Sequence, residues 1–120
     1  MNNNPRQLAF IILQEIYRKQ TFADVTLDQH LKKNDLIDAN RRLVTELVYG
    51  CVRRQRSLDA IIDQLAKKKS LQQHPYLRII LHIGLYQLSY LEQVPESAAV
   101  DTTVELAKQN KFAKLAGFVN

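Results

Sequence analysis

Few residues in this chain are of a type and spacing to do covalent chemistry. Cys51 is the one thiol among 120 residues, and Arg53 and Arg54 follow it closely. Nearby cations lower a thiol's pKa, so the pattern is a candidate nucleophile. Cys51 also continues the apolar series Leu43, Val44, Leu47, Val48, Cys51, Val52, and free cysteines are among the residues most often buried. That spacing predicts a packed core thiol. Asp59 and Asp63 stand four apart beside basic neighbours, which reads as a solvated helix face rather than an acid and base pair. His30, His74 and His82 share no i, i+3 or i, i+4 spacing, and with a single cysteine they supply no zinc quartet. No metal is expected. His82, in an apolar stretch, reads as a hydrogen-bonded, partly buried histidine. With three glycines and no glycine-rich phosphate loop, no nucleotide cofactor is expected to bind this chain.

The basic residues have the stronger claim. Between residues 41 and 69 lie eight of them (Arg41, Arg42, Arg53, Arg54, Arg56, Lys67, Lys68, Lys69) against Glu46, Asp59 and Asp63. That surplus of five equals the whole net charge of +5, because the flanking regions balance. A local field of this sign attracts phosphates. Guanidinium groups fork onto phosphate and stack on bases, so an arginine-rich helix end next to Tyr49 makes a reasonable RNA surface. A merely solvated basic face fits the composition equally well, and Lys67, Lys68 and Lys69 read as surface cations satisfying a helix C-terminus.

Helices must position these groups. Leu8, Ala9, Ile12, Leu13, Ile16 and Tyr17 predict a helix over 5–20, with Asn4 as N-cap and Pro5 at its first position. A short second helix, capped by Asp24 or Thr26, ends near Lys33, and 34–38 form a turn. The third runs over 39–56 from a cap at Asp38, with Arg41, Arg42, Thr45 and Glu46 on its solvent side. Ser57 caps a fourth, which turns Leu58, Ile61, Ile62 and Leu65 to the core. The fifth, from Pro75 to about 91, is apolar on nearly every side and should be central. Gly50 and Gly84 fall mid-helix, where each costs about 1 kcal/mol relative to alanine, and close helix approach is the simplest return. A sixth helix covers 97–109, and Phe112, Leu115, Phe118 and Val119 open a seventh whose apolar stripe is unfinished at Asn120. That predicts a longer parent protein. The fold class is all-α, a bundle of about six to seven helices.

Length and an apolar fraction of 46% suit a single self-folding domain over 1–120. The polar N-terminus and lone cysteine point to the reducing cytoplasm. Apolar segments are broken by charge well short of the roughly 20 residues of a membrane span, so no membrane role is expected.

Four ordered segments carry a resemblance: TELVYGCVRRQRSLDAII (45–62), LRIILHIGLYQLSYL (77–91), VPESAAVDTTVELAK (94–108) and AGFVN (116–120), after an opening of Arg6 and Ala9. Together they resemble the NusB-like N-terminal domain of the RsmB (Sun, Fmu) family of ribosomal RNA cytosine-C5 methyltransferases. The resemblance implies a NusB-like helical bundle that positions small-subunit ribosomal RNA for a separate C-terminal methyltransferase domain of the same protein. S-adenosylmethionine and the catalytic cysteines belong to that absent domain, so no catalytic residue is expected here and Cys51 inherits no role. The expected RNA-binding residues are Arg6, Arg41, Arg42, Arg53, Arg54, Arg56 and Phe118, with Arg18 and Lys19 secondary. Of these, Arg6 and Phe118 come from the resemblance and the others from the charge distribution.

Two other readings stay open. A free-standing NusB-type transcription antitermination factor, binding RNA with a ribosomal protein, shares the VELAK and FVN stretches; YGCVRRQRSLD and AGFVN favour the methyltransferase domain. A structural module would instead pack its arginines against acids of the catalytic domain and touch no RNA.

Overall fold

The computed structural model describes residues 4–66, 69–70 and 73–110. Six α-helices order them: α1 (Pro5–Lys19), α2 (Ala23–Lys33), α3 (Asp38–Arg53), α4 (Gln55–Leu65), α5 (Pro75–Tyr90) and α6 (Glu96–Gln109), with no strand among the described residues. They fall into two compact units, one ending at Arg53 and the other beginning at Arg54. The all-α reading holds.

In the first unit, α1 starts where its cap dictates. The Asn4 Oδ1 accepts from the backbone N–H groups of Arg6 at 3.0 Å and Gln7 at 3.3 Å, and Pro5 occupies the first helical position. The helix ends on Gln20, whose φ of 54° is left-handed and whose N–H donates to the Ile16 carbonyl at 2.9 Å. Leu8, Ala9, Phe10, Ile12, Leu13 and Ile16 are buried, and α1 packs chiefly along α3. The buried residues of α3 (Val44, Leu47, Val48, Gly50 and Cys51) follow the expected stripe. In α2, neither Asp24 nor Thr26 is the cap. The helix begins at Ala23 after Phe22, so both residues lie inside its first turns rather than ahead of them. The Asp24 carboxylate instead accepts from the Val25 N–H at 3.0 Å, and the Thr26 hydroxyl pairs with that of Thr21 at 2.9 Å.

The expected helix over 39–56 is two helices. Arg54, at φ −108° and ψ 22°, interrupts it, and Ser57 is the third residue of α4 rather than its cap. Apolar spacing could not reveal this break, because Cys51 and Leu58 are seven apart and keep the same helical phase across it.

In the second unit, Leu58 and Ile62 of α4 are buried. Ile62 joins Leu77 and Leu81 of α5 in an apolar cluster flanked by Ala66 and Leu85. Leu65, expected in the core, is 78% exposed. It is the last residue of α4, and Ala66 packs on the cluster in its place. Helix α5 is the core element of this unit, buried at Leu77, Ile79, Ile80, Leu81, His82, Ile83, Gly84, Tyr86 and Gln87. Its N-terminus is capped by His74, whose Nδ1 accepts from the Tyr76 N–H at 3.1 Å. Against α5 lies α6, and the close approach expected at Gly84 is present: a Cβ there would meet the Thr103 Oγ1 at 2.6 Å. The seventh helix proposed from Phe112, Leu115, Phe118 and Val119 lies outside the described residues.

Candidate nucleic-acid interface

An α-helix turns about 100° per residue, so Arg42, Glu46, Tyr49 and Arg53 of α3 fall within about 40° of one line. All four are exposed. Arg42 and Arg53 are about 16 Å apart along the axis, at 1.5 Å rise per residue. Arg41 lies a quarter turn away, also exposed, and its Nη1 donates to the Leu31 carbonyl at 3.4 Å. Beside Tyr49 a groove of about 700 Å³ runs between α2 and α3, walled by Val25, Leu31, Asp28 and Thr45. This row sets two arginines and a tyrosine beside one carboxylate, Glu46; the arginines suit phosphates and the tyrosine suits bases.

In the second unit, Arg54 and Arg56 sit at the N-terminus of α4 and both are exposed. The first turn of α4 carries no acid. Cations there oppose the helix dipole, so the dipole does not account for their placement. The Arg54 guanidinium lies over the Tyr90 ring at 4.1 Å from its centroid, a cation–π contact. Tyr90 in turn lies 5.3 Å from Tyr86 with the rings tilted by 33°.

The remaining candidates differ among themselves. Arg6 is half-buried in the first turn of α1, and burial lowers its pKa, although a guanidinium stays charged at neutral pH. Arg18 and Lys19 are exposed in the last turn of α1. Lys69 donates to the Asp63 carbonyl at 2.8 Å, the end-of-helix role expected of it. Phe118, Lys67 and Lys68 lie outside the described residues.

The groups considered for chemistry are built into the fold. Cys51 is fully buried, and desolvation pushes its thiol well above the usual range, which suppresses the thiolate. Asp59 and Asp63 are not the solvated pair the spacing suggested. Asp59 accepts from Arg78 Nε at 2.9 Å and Nη2 at 2.6 Å and bonds the His82 Nε2 at 2.7 Å. The Asp63 Oδ1 accepts from the Ser70 N–H at 2.6 Å. The cause is that both carboxylates sit on the side of α4 that meets polar groups of its own unit. His82 is hydrogen-bonded as expected but fully rather than partly buried. Sequence reasoning missed Arg78 and Tyr90. For Arg78 the signal was available: with His82 it forms an i, i+4 polar pair on an otherwise apolar helix.

Among the described residues, no group of three or more His, Cys, Asp or Glu is placed to hold a metal ion. Gly50 and Gly84, the glycines among them, are buried inside α3 and α5, so these residues provide no glycine-rich turn for S-adenosylmethionine. No described helix is long and apolar enough to cross a membrane.

Helices throughout, with arginines displayed on α3 and at the start of α4, define an all-helical domain that offers planar cations to solvent. The NusB family model matches residues 3–120, and the chain belongs to that family. It is 53% identical over 96% of its length to a probable ribosomal RNA small subunit methyltransferase B of Synechocystis sp.. It is 37% identical over 97% of its length to ribosomal RNA small subunit methyltransferase B of Thermus thermophilus. The chain spans only about a quarter of these relatives, 26% and 28% of their lengths. It is also 33% identical to the transcription antitermination protein NusB of Pseudarthrobacter chlorophenolicus, over 96% of this chain and 84% of that protein.

Proposed function

We propose that residues 1–120 act as one NusB-like RNA-binding domain of a larger cytoplasmic ribosomal RNA (cytosine-C5)-methyltransferase. The domain holds small-subunit ribosomal RNA, through Arg41, Arg42, Arg53, Arg54 and Arg56 with Arg6 and Phe118 contributing, for a separate catalytic domain that uses S-adenosylmethionine. The observation that carries this reading is the 53% identity over 96% of the chain to a relative named for methylation of that RNA. Exposed arginines on α3, and cations at the α4 N-terminus where they oppose the helix dipole, support it.

The test is a salt titration of binding to unstructured fragments of small-subunit ribosomal RNA. If about five phosphates are neutralised, log K falls against log salt with a slope of roughly −3.5, from about −0.7 per phosphate on single strands. A flat response overturns the reading. Charge reversal of Arg53, Arg54 and Arg56 without loss of RNA binding would mark them as packing residues for the catalytic domain.

The match across 84% of an antitermination protein supports a second reading, a factor that binds RNA together with a ribosomal protein. Coding sequence beyond Asn120 that continues into a methyl-donor-binding domain favours the first reading, and a stop favours the second.

A further inference from the structure

Tyr86, Tyr90 and Arg54 form a graded stack in the second unit. Tyr86 is 2% exposed and fixed in the core. The Tyr90 ring lies 5.3 Å from it and is partly exposed. The Arg54 guanidinium lies 4.1 Å above Tyr90, and Arg54 itself is exposed. Each layer is planar and more accessible than the one beneath it. A guanidinium held over an aromatic ring is anchored there, and guanidinium planes also stack on unpaired nucleobases.

We infer that this stack is a binding site for an unpaired nucleobase, with the Arg54 guanidinium as the layer the base stacks on and Tyr90 as the residue that positions it. The inference rests on the RNA-binding reading above and deepens it. An unpaired base supplies the missing planar partner, and its flanking phosphates meet the positive charge of Arg54 and Arg56. Base-paired RNA cannot serve, because its bases already stack on one another. The site therefore selects single-stranded over duplex RNA without selecting a sequence, since every base offers a π face.

Binding of a short unstructured RNA carrying one 2-aminopurine tests this, since stacking quenches that base's fluorescence. The probe should be quenched on binding. Arg54→Lys keeps the charge and loses the plane; it should weaken binding about tenfold and relieve the quenching, while affinity for a duplex of the same length stays within about twofold. Tyr90→Leu should match it, Tyr90→Phe should restore binding, and the Arg54→Lys, Tyr90→Leu pair should be no worse than either alone. Because Arg54 is exposed, Arg54→Lys decides even if Tyr90→Leu impairs folding. An Arg54→Lys chain that binds and quenches as the native one does overturns the stacking site. If Arg42→Glu with Arg53→Glu still weakens binding in that case, the RNA-binding reading stands. If the native chain binds neither RNA, that reading fails and the site falls with it.

Discussion

His82 of α5 bonds Asp59 of α4 across 2.7 Å, and the imidazole is fully buried while the carboxylate keeps some contact with solvent. Burial lowers the His82 pKa to about 4, and the bond to Asp59 offsets only part of this. For Asp59, burial disfavours the charge, but the bonds from Arg78 and His82 outweigh it and hold the carboxyl below its ordinary value of 3.8. At neutral pH the pair is therefore a neutral imidazole, donating through Nε2–H, and an ionised carboxylate also held by Arg78. This network ties α4 to α5.

Removing one member breaks the bonds that its partners make to it. Asp59→Ala should destabilise the chain by about 3 kcal/mol in urea unfolding, because the largely buried Arg78 charge then loses both of its hydrogen bonds to that carboxylate. Asp59→Leu with Arg78→Met should recover part of that loss. Equal losses in the single and double variants would show that the ion pair is not the source.

Stability should also fall on mild acidification. The unfolded chain protonates His82 near its ordinary 6.5 and the folded chain only near 4, so the unfolded state binds more protons in between. Stability is thus full above about pH 6.5 and lost progressively towards pH 4, by on the order of 2–3 kcal/mol. The Asp59 contribution is present above 3.8 and disappears as pH falls through its lower folded value. Urea midpoints from pH 4 to pH 8, compared with those of His82→Gln, check this: the variant should lack most of the decline between 6.5 and 4.

Gly84→Ala should destabilise despite alanine's higher helix propensity. The new Cβ would lie 2.6 Å from Oγ1 and 2.8 Å from Cγ2 of Thr103, a buried residue whose hydroxyl already donates to the Ala99 carbonyl. Relieving that overlap costs about 1–3 kcal/mol. Thermal melting should show the loss, and adding Thr103→Ala should return part of it.

Gln20→Gly should raise stability. Gln20 closes α1 with φ at 54°, where a side chain is strained and glycine is not. A gain of about 0.5–1 kcal/mol in denaturant unfolding is expected, and a loss would show that the Gln20 side chain contributes more than its backbone strain costs.

On α3, Arg42→Ala with Arg53→Ala should weaken RNA binding and make the salt slope shallower by about 1.4, at about 0.7 per phosphate lost. Arg18→Ala with Lys19→Ala, at the exposed end of α1, should have a smaller effect. Filter-binding at several salt concentrations measures both.

Helix existence and type were legible from apolar spacing, and the start of α1 was legible to the residue because Asn4 and Pro5 act locally. Core membership was also legible where a stripe was continuous, as at Val44, Leu47, Val48 and Cys51. The break at Arg54 was not, because no proline or glycine marks it and the apolar phase carries through. The exposed arginines of α3 could be placed from periodicity alone. Contacts between residues distant in sequence could not: Asp59 with Arg78 and His82, and Arg54 with Tyr90, depend on which helices pack together. One-dimensional spacing holds no record of such pairings, although an arginine and a histidine on an apolar helix signalled that a buried partner was needed.

The sealed position of Cys51 has a practical side. The chain's one sulfhydryl is fully buried in its native state, so maleimide dyes and nitroxide labels have no natural attachment point. A cysteine introduced at an exposed site such as Ser97 or Lys108 would be the sole address for such a label, without first removing the resident thiol. Paired labels of that kind would bring fluorescence transfer and electron spin echo distances within reach for this domain, with and without added RNA.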